Sequence, residues 1–380
     1  MAEQLVKFVR DYFDTDQDVP LHAPLFVGNE HEYVAQAITS SFVSSVGAYV
    51  SQFEEKIADY VGVGKAVAVM NGTSALHASL LLAGVKCNDV VITQPLTFVA
   101  TCNAITYCGA TPLFLDVDRH TLGLSPLAMA EWLDESAFLD DDGLCRMQAD
   151  NKVIRACVPM HTFGHPADMD ALVSITKKWN IALIEDAAES LGSFYKNQHT
   201  GTFGDFGALS FNGNKILTTG GGGIILTNEA KAARAKHLTT TAKKDHPYEF
   251  IHDEVAYNYR MPNLNAAMGC AQMEQLERFV AAKRQLAHSY EAALDGSDLL
   301  FFKEPKDCRS NYWLNAVICE NKAHRDSLLE ASNAKGVMTR PVWTLMNNLK
   351  MYEQCKRGDL SNAKWLEARL VNLPSSAVLK

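Results

Sequence analysis

AVAVM (66–70), Asn71-Gly72-Thr73-Ser74 and ALHASLLLAG (75–84) are the residues that decide the fold. An apolar run of five is short for a helix and long enough for a buried strand. A polar turn follows, then a nearly unbroken apolar segment closed by Gly84. The order reads as buried strand, turn, buried helix. That helix carries no charge, so it must be covered on every side.

The same alternation continues downstream. VVIT (90–93) is a strand, 97–108 a helix, PLFLDV (112–117) a strand, and 125–136 has helical spacing. VIRACVP (153–159), IALIEDA (181–187), ALSF (208–211) and GGIILT (222–227) supply further strands, with helices near 167–179 and 228–238. Strands alternating with helices predict an α/β fold whose mainly parallel sheet is covered on both faces. The acidic, turn-rich stretch 134–152 is expected to be a surface loop. Upstream, a short helix, the polar turn DTDQD and two helical segments (29–40 and 50–61) precede the first strand. Past residue 240 a polar segment leads into one long helical pattern from Leu264 towards Leu294. Short strands and helices fill 298–380. The expected division is a large α/β domain over 1–250 and a smaller C-terminal α+β domain over 251–380.

Composition bounds the function. The chain has 380 residues, 47% hydrophobic and 21% charged, with a net charge of −9. This acidity argues against a nucleic-acid-binding surface, which needs a basic footprint. No apolar run reaches the length of a membrane span. The start, MAEQLVKFVRDYF, mixes charge with apolar residues and is not read as a signal peptide. Nine cysteines are scattered without a CxxC pair. Reduced thiols in a cytoplasmic enzyme are the expectation.

In an open α/β sheet, ligands bind beyond the carboxyl ends of the strands. Four groups fall there. The first is Asn71–Ser74, where glycine permits close backbone approach and a helix N-terminus favours an anion. Thr73 and Ser74 are equally ordinary helix caps. Glu185-Asp186 ends a buried strand, where carboxylates are costly unless paired. Such acids suit a metal, a base role or a salt bridge to a cofactor nitrogen. In SFNGNKILTTGGGG (210–223), Lys215 lies between a strand and four glycines; a lysine in a crowded, partly dry place can serve as a nucleophilic amine. A solvated loop lysine is the plainer alternative. The fourth group is YNYRMPN (257–263), just before the long helix. The glycine run fails the dinucleotide fingerprint, and GVGK (62–65) lacks the frame of a phosphate loop. His161 and His165 are spaced for a metal, but Gly164 and Pro166 make a turn there and no acid or cysteine accompanies them. No metal is expected.

Taken in order, GTSAL (72–76), EDAAES (185–190), SFNGNK (210–215) and YNYRMPN resemble the DegT/DnrJ/EryC1/StrS family of pyridoxal 5'-phosphate (PLP) sugar aminotransferases, of fold type I. The resemblance runs from about Pro24 to Leu373. PLTFVATCNAITYCGA (95–110), PMHTFGHPADMD (159–170), ESLGSFYKNQHTGTFG (189–204) and TTTAKKDHPYEF (239–250) are similar to the legionaminic-acid branch, which acts on UDP-linked 2-acetamido-4-keto-6-deoxy sugars. The resemblance implies a large domain with a mainly parallel seven-stranded sheet. It implies that Lys215 forms the Schiff base with the cofactor and that Asp186 pairs with the pyridine nitrogen. Gly72, Thr73 and Ser210 match phosphate contacts, with Ser74 beside them. Phe98 falls where an aromatic ring covers the pyridine. Asn258 matches a residue reaching the cofactor phosphate of a neighbouring subunit, which implies a homodimer. Glu189 stands where many relatives carry Gln near the phenolic oxygen, and a carboxylate there has to be protonated or paired. Ala256 replaces a common glycine. His161, Lys243, Arg260 and Trp343 are candidates for the sugar nucleotide. The implied reaction moves an amino group from L-glutamate to C4 of a nucleotide-linked 4-keto sugar. A dehydratase of the same fold, whose relatives carry His at the lysine position, and a non-catalytic regulator are the alternatives.

Overall fold

The computed structural model describes residues 2–379. Its centre is a seven-stranded sheet. In chain order the strands are β1 (Lys65–Val69), β2 (Val90–Thr93), β3 (Thr111–Phe114), β4 (Ile154–Val158), β5 (Ala182–Asp186), β6 (Phe206–Ser210) and β7 (Gly223–Thr227). They lie in the order β1-β7-β6-β5-β4-β2-β3. β7 runs antiparallel to both neighbours, while β6, β5, β4, β2 and β3 pair in parallel. A single reversed strand leaves the expected mainly parallel sheet intact.

Helices α1 (Ala2–Phe13), α2 (Glu30–Thr39) and α3 (Ala48–Val61) precede the sheet. α4 (Gly72–Leu82) is the uncharged helix of the opening motif. Ala75, Leu76, Ala78 and Leu80 are all buried, packed with Val67, Ile184, Ala208 and Ile225 of the sheet. Burying a leucine side chain contributes about 1.5–3 kcal/mol, so this helix is bound by its apolar surface on all sides rather than along one stripe. α5 (Val99–Tyr107), α6 (Pro126–Ser136), α7 (Met169–Lys178) and α8 (Glu229–Thr239) complete the layers.

Two expectations are corrected. The stretch 134–152 is not all loop: Ala137–Leu139 and Cys145–Met147 form an antiparallel hairpin. Asp140 closes its turn, accepting the N–H groups of Asp142 and Leu144, and Gly143 takes a positive φ of 75°. The acids that suggested a loop are the turn, and the buried Ala137, Cys145 and Met147 anchor the strands. The long helix is also two. α9 (Asn263–Met273) ends and α10 (Leu276–Ala293) begins across Glu274 and Gln275, whose backbone φ of −106° breaks the turn. Apolar spacing runs through this break, which hides it from the sequence.

C-terminal to α10, strands β8 (Leu300–Phe301), β9 (Asn315–Ile318), β10 (Arg340–Pro341) and β11 (Leu370–Leu373) form a four-stranded antiparallel sheet in the order β8-β9-β11-β10. α11 (Lys322–Ala334) and α12 (Ser361–Glu367) accompany it. One apolar cluster joins Phe53 and Leu209 to Trp313, Ala316 and Leu370. This continuous core holds the smaller sheet against the loops at the carboxyl edge of the larger one. Among the described residues no helix is long and apolar enough to cross a membrane.

Candidate active site

Strand periodicity separates the two acids that end β5. Successive side chains point to opposite faces, and the pair divides its work accordingly. Glu185 is fully buried and accepts N–H groups from Gly201 (2.7 Å), Phe203 (2.7 Å) and Gly204 (2.9 Å), with His161 Nε2 at 3.0 Å. It fastens the 200–204 loop. Asp186 turns the other way. Its Oδ2 accepts from Thr101 Oγ1 at 2.7 Å and its Oδ1 from the Ala188 N–H at 3.2 Å. Burial pushes its carboxyl above the usual range, opposed by those two hydrogen bonds and by the charge of Lys215. A buried carboxylate with this little support calls for a cation.

Lys215 follows β6 on the loop Phe211–Gly222. Its Nζ lies 3.3 Å from Glu189 Oε1 and 4.0 Å from the centre of the Trp313 ring. The side chain is 12% exposed, against 1% for Glu189. The solvated-loop alternative therefore fails. Glu189 also accepts the Phe163 N–H through Oε2 at 2.9 Å. Burial pushes Glu189 up to about 7, against the lowering pull of Lys215 and that backbone bond. Near neutral pH this carboxyl sits between its two protonation states.

The Asn71–Ser74 turn closes the other end of the site. Asn71 Oδ1 caps α4 by accepting the Ser74 N–H at 2.8 Å. No hydrogen bond among the described residues occupies the N–H groups of Gly72 and Thr73, which lie in the helical first turn where intrahelical partners are lacking. Gly72 touches β6 so closely that a Cβ there would stand 2.9 Å from Ser210 Cβ. Gly72 and Ser210 are thus in contact, with Thr73 next in the turn and Ser74 buried.

The outer residues are placed less centrally. Phe98 is 49% exposed, with its ring 6.1 Å from Trp343, and Trp343 lies 5.2 Å from Phe163. Asn258 is exposed and accepts from Arg260 Nε at 2.9 Å. Arg260 bridges to Val69, next to the Asn71–Ser74 turn. Lys243 is exposed, its Nζ 4.1 Å from the Phe250 ring. His161 departs from expectation. It is fully buried, its Nδ1 accepts the Ala167 N–H at 3.1 Å, and its Nε2–H is directed to Glu185. Neither nitrogen is left for a sugar, so it supports the scaffold. His165 is also fully buried, among the rings of Phe302 and Tyr312.

Three contributors were not found from the sequence. Thr101 holds Asp186; a buried hydroxyl on the apolar helix VATCNAITY was the available signal. Trp313 covers Lys215, and its position is fixed at three points. Its Nε1–H donates to the Asn214 carbonyl (2.7 Å), its N–H to Asn311 Oδ1 (2.8 Å), and its carbonyl accepts from Lys283 Nζ (3.0 Å). Asn311 Nδ2 donates in turn to the Glu189 and Leu191 carbonyls, both at 2.9 Å. Nothing local marks SNYW (310–313) as part of a site.

A phosphorylated pyridine aldehyde fits these residues. Its phosphate matches the uncommitted N–H groups at Gly72 and Thr73, where a glycine is sterically required. A protonated ring nitrogen matches the under-supported Asp186 carboxylate, and the aldehyde matches the amine of Lys215.

Comparison with known proteins agrees. A model of the DegT/DnrJ/EryC1/StrS aminotransferase family matches residues 26–380. GDP-perosamine synthase of Escherichia coli O157:H7 is 37% identical over 358 residues, covering 94% of this chain and 93% of that protein. EpsN of Bacillus subtilis (strain 168), whose name describes a pyridoxal phosphate-dependent aminotransferase, is 34% identical over 334 residues, covering 88% and 83%. The crystal structure of the aminotransferase TlmJ from Streptoalloteichus hindustanus superposes with a TM-score of 0.85 at 26% identity, over 94% of this chain and 93% of that one.

Proposed function

The chain belongs to the DegT/DnrJ/EryC1/StrS aminotransferase family, PLP enzymes of fold type I, and we propose that it moves the amino group of L-glutamate to C4 of a nucleotide-linked 4-keto-6-deoxy sugar. The observation that carries this reading is the buried group of Lys215, Glu189 and Asp186 beside the Gly72 turn. When bound, PLP supplies an aldehyde that takes up the amine and a ring that accepts an electron pair.

The chain's own residues do the rest. The Gly72 and Thr73 N–H groups and the Ser210 hydroxyl hold the phosphate. Asp186, steadied by Thr101, keeps a proton on the ring nitrogen, because an opposite charge favours the protonated form of a base. Lys215 is the amine that anchors the cofactor. Its Nζ would also be the group that carries the proton during the amino transfer. Trp313 and Glu189 keep that nitrogen close by. Phe98 would shield the bound cofactor ring from water. A second copy of the chain supplies Asn258, so the working unit is a homodimer with a large domain over 1–250 and a smaller one over 251–380. Lys243, Arg260 and Trp343 are assigned to the sugar nucleotide; His161 is enclosed and does not reach it.

For the substrate we favour a UDP-linked 2-acetamido sugar of the legionaminic type, on the motifs at 95–110, 159–170 and 189–204. The E. coli relative is named for a GDP-linked sugar, so both nucleotides belong in the test. An absorbance scan of the purified protein with L-glutamate should show conversion of the bound chromophore. Mass analysis against a panel of UDP- and GDP-4-keto sugars then identifies the acceptor. Lys215→Ala should lose both the lysine-bound chromophore and turnover. Full transamination by that variant refutes the assignment.

A further inference from the structure

Behind Trp313 and Asn214, on the side of the N-terminal segment, lies a cavity of about 690 Å³. That is the size range of small-molecule sites. It lies between the segment Pro20–His22, the Lys215 loop and the start of the β10 edge strand. Trp313 and Trp343 are among its walls. Three polar groups meet there without partners. Asn372 is 3% exposed, and its Oδ1 makes no hydrogen bond. His22 Nδ1 is buried and equally unpaired. Arg340, the exposed register partner of Asn372 across β10 and β11, has a guanidinium that makes no ion pair or hydrogen bond among the described residues. Buried polar atoms are nearly always satisfied, so two orphans and an uncommitted guanidinium facing one cavity mark a place where a ligand supplies the missing partners.

The geometry points to an oxyanion-reading substrate subsite: Arg340 takes the charged oxygens while Asn372 and His22 complete the hydrogen bonding, between the indoles of Trp313 and Trp343. The inference rests on the transamination reading above and deepens it. Guanidinium suits carboxylate and phosphate alike through paired N–H groups. The oxyanion is therefore either a carboxylate of the amino donor or a phosphate of the acceptor's nucleotide. Burial, with the charges of Lys283 and Lys215, pushes His22 well below its usual range. A neutral ring can accept or donate as its tautomer requires, so it adapts to the ligand where a second fixed cation would not.

The two sources separate because transamination has two half-reactions. Calorimetry on the holoenzyme with 2-oxoglutarate, and separately with UDP and GDP, gives the dissociation constants for wild type, Arg340→Met and Asn372→Ala. Stopped-flow absorbance gives each half-reaction. Arg340→Met should weaken either the dicarboxylate or a diphosphate by about 10- to 100-fold, the worth of a hydrogen bond to a charged group, and leave the other within about twofold. Loss of the dicarboxylate assigns the donor; loss of the diphosphate assigns the acceptor. Asn372→Ala should weaken the same probe several-fold without lowering Tm, since the side chain has no protein partner to lose. A purely structural role predicts the reverse. Unchanged binding of every probe, equal losses accompanied by a lowered Tm, or a wild type that binds no probe overturns the subsite. If Lys215→Ala is inactive in the same preparation, only the subsite has failed; if that variant still transaminates, the functional reading itself has failed.

Discussion

Glu189→Gln should remove a specific pH dependence from the stability of the cofactor-free protein. In the fold this carboxyl is pushed from 4.5 up to about 7, chiefly by burial. A group whose folded value is raised binds its proton more tightly in the folded state. Its stabilisation is complete below the unfolded value of 4.5 and is lost as pH rises through about 7. The gap, at about 1.4 kcal/mol per pH unit, is worth about 3 kcal/mol, most of it between pH 5 and pH 8. Glutamine keeps an oxygen for the Phe163 N–H and does not titrate. The assay is urea unfolding of both proteins, stripped of cofactor, at pH 5, 6, 7 and 8. Asp186 is present in both proteins, so its own shift largely cancels in the difference. Relative to the variant, wild type should lose about 2–3 kcal/mol between pH 5 and pH 8. Parallel profiles, within about 0.5 kcal/mol across the range, refute the claim that Glu189 is a strained, half-protonated acid.

Gly72→Ala should weaken cofactor binding by about tenfold or more and cost about 1–3 kcal/mol of stability, because the new Cβ would press on Ser210 at 2.9 Å; fluorescence titration with PLP and a melt read both. Thr101→Val removes the hydroxyl that donates to Asp186 and should destabilise the protein by about 1.5–3 kcal/mol. The loss should grow as pH rises and Asp186 ionises, which melts at pH 5 and pH 8 distinguish from a simple packing defect.

The sequence carried the architecture because the α/β alternation is local. AVAVM, the Asn71 turn and the uncharged helix after it are legible within twenty residues, and the structure reproduces them as β1, cap and α4. Asp186 and Ser210 close readable strands and Lys215 follows one on a loop, but the roles expected of them came from the order of the four motifs rather than from their places in the strands. What escaped depends on tertiary contact. Trp313 reaches Lys215 from the smaller sheet, and no spacing rule links the two. His161 was misplaced because a histidine after a strand looks available until the buried Glu185 on the neighbouring strand is seen to hold it. The α9–α10 break was hidden because both helices keep apolar spacing across Glu274 and Gln275. The acidic stretch misled because turn residues outnumber the few buried ones that pin its hairpin.

The Asn311 contacts have a further consequence. The space above Gly164 is so tight that a Cβ there would fall within 1.9 Å of Asn311 Oδ1, and Gly164 already holds a φ of +92°. Asn311 orients the Trp313 backbone and grips the chain at Glu189. A methyl group added at position 164 would therefore be felt on both flanks of Lys215 at once. The site is wired to the smaller sheet by a stiff linkage rather than a hinge.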